Sequence, residues 1–73
     1  MLRIDEIIVG DRLRQELGDI DALATSIADV GLIHPIVIDQ DNRLLAGYRR
    51  LAACRQLGLV EIEARVMEVQ DEQ

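Results

Sequence analysis

With 73 residues the chain has room for one small domain, and a domain of that size buries only roughly 60% of its unfolded surface. Apolar residues make up 49% of it, yet Tyr48 is its one aromatic, so the core has to be built from Leu, Ile, Val and Ala. The 14 acids against 8 bases, every base an arginine, give a net charge of −6, which argues against this unit gripping duplex DNA alone and favours a small phosphorylated ligand held by a local basic patch. A single cysteine, Cys54, excludes an internal disulfide, no His/Cys cluster has metal-ligand spacing, and no apolar run approaches a membrane span or a signal-peptide core. A cytoplasmic location is expected.

Residues 2–9 are β-branched and partly alternating, which predicts a first strand, broken at Gly10-Asp11. Residues 12–18 form a polar connector in which Arg12 and Arg14 would point to one face if extended. Asp19 or Asp21 is the expected N-cap of a first helix whose buried stripe is Ile20, Leu23, Ala24, Ile27 and Val30, with Ser26 toward the core. Gly31 is placed to end it, and Pro35 pushes His34 into an extended conformation.

Ile36-Val37-Ile38 reads as a strand buried on both faces, Gln40-Asp41-Asn42 as a turn, and residues 43–46 as the adjacent strand. A second helix is predicted over residues 47–57, closing at Gly58, with Gly47, Leu51, Cys54, Leu57 and Gly58 on one face and Arg49, Ala53 and Gln56 opposite. Residues 61–69 alternate, which predicts a final strand with Ile62, Ala64, Val66 and Glu68 on one side, and residues 70–73 are an expected frayed tail. The order strand, helix, hairpin, helix, strand predicts one α/β (α+β) domain over residues 1–73, with a mixed sheet of about four strands and two main helices.

The chemistry concentrates where the hairpin feeds the second helix. Gly47 permits close approach of the backbone or a positive φ, and Arg49 and Arg50 follow in the first helical turn. Free N–H groups and the positive end of the helix dipole already attract an anion there. Arginines normally favour the other end of a helix, so two at the start point to an external negative charge, most naturally phosphate. The bland alternative for the pair is a solvated face or an internal salt bridge. Cys54 reads as a small core residue, and Tyr48 either stacks on a ligand or covers the pocket.

Three blocks in order, Leu23-Ala24-Thr25-Ser26-Ile27, then Gly31-Leu32-Ile33-His34-Pro35-Ile36-Val37-Ile38, then Leu45-Ala46-Gly47-Tyr48-Arg49-Arg50-Leu51-Ala52-Ala53, resemble the N-terminal domain of the ParB family. The wider superfamily includes sulfiredoxin and free-serine kinases. The resemblance implies binding of a nucleotide triphosphate, CTP or ATP, with its phosphates on Gly47, Tyr48, Arg49 and Arg50. It places Arg12 and Arg14 in an early basic box that also approaches the nucleotide, and His34 beside base and ribose. Mg²⁺ is implied only together with bound nucleotide. Tyr48 stands where the family carries a glutamate, and where sulfiredoxin carries its nucleophile, so sulfiredoxin activity is not expected. The helix-turn-helix that follows this domain in ParB proteins is not encoded in these residues.

The resemblance implies a nucleotide-binding regulatory module tied to DNA partition, plasmid or phage functions, or gene regulation. Its expected partners are a nucleotide triphosphate and a second copy or partner protein, with DNA engaged weakly or through another domain and no membrane contact. One alternative is a small NTPase, kinase or ParB-like nuclease, for which Glu16, Asp19 and Asp39 are available carboxylates. Another is an interaction module with a decayed pocket.

Overall fold

The computed structural model of the chain describes residues 1–11, 18–31 and 34–69, which form two α-helices and five short strands in two sheets. Helix α1 (Ile20–Val30) begins where the Asp19 carboxylate accepts a hydrogen bond from the Ala22 N–H at 3.4 Å. Asp21, the other candidate cap, sits in the first helical turn, where its charge suits the dipole. Ala24 and Ile27 are buried and Leu23 packs at the margin of the core. Val30 is 61% exposed, because the apolar stripe runs out of partner at the last residue of the helix, and Ser26 faces solvent rather than the core.

Strand β1 is only Leu2–Arg3, and the predicted long first strand gives way to a 3₁₀ turn over Ile4–Glu6. The Ile7 N–H donates to the Ile4 carbonyl at 3.2 Å, and Ile4 and Ile7 are both buried, three residues apart as a 3₁₀ turn requires. β-Branched composition concealed this period of three. Ile8 then makes a single parallel bridge to Arg43.

Strands β2 (Ile36–Ile38) and β3 (Leu44–Ala46) form the predicted hairpin; Ile36 and Ile38 are enclosed, but Val37, on the other face, is only half-buried, so the strand is fully covered on one face rather than both. The turn between them is held by Asp39, whose Oδ1 accepts from the N–H groups of Asp41 at 2.8 Å and Arg43 at 2.9 Å. Asn42 occupies the left-handed region at φ 66°.

Helix α2 (Tyr48–Gln56) ends in paired backbone bonds: Leu59 N–H to the Cys54 carbonyl and Gly58 N–H to the Arg55 carbonyl, with Gly58 at φ 79°. Its burial differs from expectation. Leu51 and Cys54 are enclosed as predicted, but so is Ala53, assigned to the opposite face, while Leu57 lies at the surface. The helix is covered on two sides, and α1 packs against it more extensively than any other pair of elements does. Arg49 and Gln56, on the same side as Ala53, hydrogen-bond to Asp19 and Asp21 around the start of α1.

The final strand is split. β4 (Glu61–Ile62) pairs antiparallel with β1, and β5 (Ala64–Val66) pairs parallel with β2, so the chain changes sheets at Glu63. Ile62 is buried and Ala64 partly so, whereas Val66 is 62% exposed on the edge strand of its sheet. Beyond β5, the Gln40 side-chain amide bonds both the N–H and the carbonyl of Val69, at 3.0 and 2.9 Å. The expected four-stranded mixed sheet is thus a three-stranded mixed sheet, β3-β2-β5, and a separate β1-β4 pair. The expected tail at residues 70–73 lies outside the described residues.

Burial pushes the Cys54 thiol above its ordinary pKa. The neutral thiol is therefore favoured in the folded state, and its contribution to stability is complete below the unfolded value of ~8.5 and lost as pH rises beyond it. A thiol reagent at neutral pH should label Cys54 only in denaturant. The urea midpoint should fall between neutral pH and about one unit above ~8.5, less steeply in Cys54→Ala.

Candidate anion-binding site at the head of α2

Strand β3 hands the chain to Gly47, which takes φ 97° and ψ 27° as the N-cap of α2. A Cβ there would lie 2.9 Å from Ile36 Cγ2 and 3.2 Å from Ile36 Cα, so glycine is required both by the left-handed backbone and by the contact with β2. The first helical hydrogen bond is the Leu51 N–H to the Gly47 carbonyl, at 2.9 Å. The N–H groups of Tyr48, Arg49 and Arg50 precede it and have no carbonyl one turn back within the helix. Gly47 brings no side-chain cap and the first turn holds no acid.

A hollow of about 340 Å³ opens at this point, lined by Leu23, Gly47, Tyr48, Arg49 and Arg50. Four of the seven residues expected to bind nucleotide are thereby brought together. Tyr48 is half-buried against the core, Arg50 half-buried, and Arg49 exposed. Arg49 Nη2 donates to the Asp19 backbone carbonyl at 3.4 Å. Arg3 and Asp5 form an ion pair at 3.0 Å, and neither lines this hollow. His34 is exposed and is not part of the hollow's lining, and Arg12 and Arg14 lie outside the described residues.

Leu23 was legible only as a core residue. Its period along α1 is that of the buried stripe, and nothing in the spacing distinguishes a side chain at the end of that stripe, facing an opening, from one enclosed. The carboxylates available for chemistry are accounted for differently. Asp39 is 7% exposed and committed to turn amides, Asp19 caps α1, and Glu16 lies outside the described residues. A larger hollow, about 540 Å³, runs beside β3 between Ile8, Gly10, Asp11, Asp39, Arg43, Leu44 and Leu45. Its walls are largely aliphatic, and the carboxylate oxygen Asp39 uses for the turn is an acceptor, unsuited to an anion. The smaller hollow is the one with converging donors.

The model of the ParB N-terminal domain matches residues 1–73. The chain belongs to the ParB N-terminal domain family. It is 31% identical, over 75 residues, to a probable plasmid-partitioning protein ParB of Thermus thermophilus, a match covering 99% of this chain and 25% of that protein. A probable chromosome-partitioning protein ParB of Campylobacter jejuni is 42% identical over 55 residues, covering 71% of this chain and 20% of that one. The chain thus spans a quarter or less of the length of these relatives. Among solved structures, C-terminally truncated ParB from Caulobacter crescentus, complexed with CTP-γ-S, superposes with a TM-score of 0.80 at 25% identity, over 96% of this chain and 44% of that one. Sulfiredoxin from Arabidopsis thaliana shares the fold, with a TM-score of 0.79 at 22% identity over 93% of this chain and 82% of that one. Among the described residues no helix is long and apolar enough to cross a membrane.

The contact of Gly47 with Ile36 sets the position of the hollow. Gly47→Ala should cost about 1–3 kcal/mol of unfolding free energy in urea titrations, from the left-handed φ and the 2.9 Å approach together.

Proposed function

We propose that the domain binds a nucleoside triphosphate, with the phosphates seated on the N–H groups and guanidinium groups of the Gly47–Arg50 turn. The observation that carries this reading is the hollow bounded by Gly47, Tyr48, Arg49 and Arg50 at an acid-free helix start. The likeness to a ParB solved with CTP-γ-S supports it and favours CTP over ATP. Arg12, Arg14 and His34 are proposed to complete the pocket around phosphates, ribose and base. Mg²⁺ is proposed to enter together with the phosphates of the nucleotide.

In this reading the domain is a regulatory module of DNA partition, in keeping with its chromosome- and plasmid-partitioning relatives. Nucleotide binding would govern contact with a second copy or a partner protein in the cytoplasm. With a net charge of −6, DNA engagement is assigned to other parts of a partition assembly.

Calorimetric titration with CTP and Mg²⁺ tests the site. Each lost charge-assisted hydrogen bond is worth about 1.5–3 kcal/mol, so Arg49→Ala combined with Arg50→Ala should weaken binding by ~100-fold or more with the urea midpoint little changed. Equal affinity in the variant and the parent would remove the assignment. A thermal-shift series with CTP, ATP, ADP and GTP should rank the bases, because a ligand specific for the native state raises the melting temperature by mass action.

A further inference from the structure

We infer that the hollow between the later turns of the two helices and strand β4 docks a partner-protein segment in which an aliphatic side chain is flanked by lysine or arginine. This hollow shares no lining residue with the anion-binding hollow, and the inference stands independently of the proposed nucleotide site. Ile27 and Cys54 each lie four residues beyond a residue that lines the first hollow, Leu23 and Arg50. Residues at that spacing are neighbours on one side of a helix, so the two hollows open at successive turns of the same helix pair.

The second hollow has a volume of about 310 Å³, with walls from Ile27, Cys54, Leu59 and Ile62 and with Glu61 and Glu63 also bordering it. Ile27, Cys54 and Ile62 belong to the core, whereas Leu59 is 45% exposed. The chain creates this opening as it leaves α2. The Leu59 N–H turns back to the Cys54 carbonyl at 3.2 Å, and the Val60 carbonyl accepts from the Ile4 N–H at 2.9 Å, which fixes Leu59 between α2 and the β1-β4 pair. Cys54 contributes a small apolar side chain, where a larger one would fill part of the space. An aliphatic floor that reaches solvent beside a half-exposed leucine suits an apolar anchor from outside.

Charge decides what carries that anchor. Glu61 and Glu63 are both exposed, and their spacing puts their side chains on one face of an extended segment. Arg3 stands in register with Glu61 across the β1-β4 pair, but its guanidinium is committed to Asp5 at 3.0 Å. The side chains of Glu61 and Glu63 have no hydrogen-bond or ion-pair partner among the described residues. A second copy of the chain would bring another pair of glutamates and another net charge of −6 to the same place, which opposes self-association here. A basic segment meets no such repulsion. Its lysine or arginine stems can lie along aliphatic surface while their charged heads reach the two carboxylates.

The test is an NMR titration of the labelled chain with a short synthetic peptide that holds one leucine between lysines. Amide shifts are expected at Leu59, Glu61, Ile62 and Glu63, and not at Tyr48, Arg49 or Arg50. Glu61→Gln combined with Glu63→Gln should weaken the peptide roughly 3-fold to 10-fold, with the urea midpoint little changed, because both substitutions fall at exposed positions. Raising the salt concentration should weaken binding to the parent chain in the same direction. A peptide with serine in place of its leucine should bind more weakly than the original. Absence of binding, shifts confined to acidic residues elsewhere, or undiminished affinity in the double variant would each overturn the proposal. So would equal binding of the serine peptide. Concentration-dependent dimerisation that Leu59→Ser abolishes would give the surface to a second copy and overturn it too.

Discussion

The structure turns on the contact between Gly47 and Ile36. There β3 stops and α2 starts, with a left-handed residue lying so close to β2 that a Cβ would sit 2.9 Å from the isoleucine side chain. This joint fixes the direction in which α2 leaves the sheet. It also leaves the first N–H groups of the helix without a cap from the residue at the cap position, which has no side chain. A serine or aspartate would satisfy one of those donors with its own oxygen, whereas glycine brings no such acceptor.

Packing then decides what surrounds that helix start. Leu51 and Cys54 are enclosed, and Ala53 closes the other side, with α1 as the principal neighbour. An alanine on that side removes the bulk that would hold the helices apart. Close approach brings the capped end of α1 beside the uncapped end of α2, and two side chains of α2, Arg49 and Gln56, take up polar groups at the start of α1. The hollow is accordingly a property of the helix pair, with Leu23 supplied by one helix and Tyr48, Arg49 and Arg50 by the other.

The charge distribution is uneven, with a local cluster of bases on an acidic chain. A protein with 14 acids and 8 bases repels a long phosphate backbone at range, but at contact distance two adjacent guanidinium groups and several aligned N–H groups outweigh the average.

Much of this was legible in the chain itself. Both helices, a cap at Asp19 or Asp21, the hairpin strand Ile36–Ile38 and the Gly47-Tyr48-Arg49-Arg50 turn follow from periodicity, capping chemistry and glycine placement, because these are local properties with local signals. Tertiary structure alone decided the rest. The stretch 61–69 alternates like one strand, yet its two halves pair with different strands, and alternation reports two faces without naming a partner. Ile4 and Ile7 look like strand residues until their backbone tightens into a 3₁₀ turn over the core. Ala53 is too small to announce an interface, and Leu23 carries the same period whether it meets core or cavity. Sequence thus settled where the anion-attracting groups stand along the chain. Only the meeting of two helices, a long-range contact that no local period encodes, decided that they open onto a hollow and that α1 forms its wall.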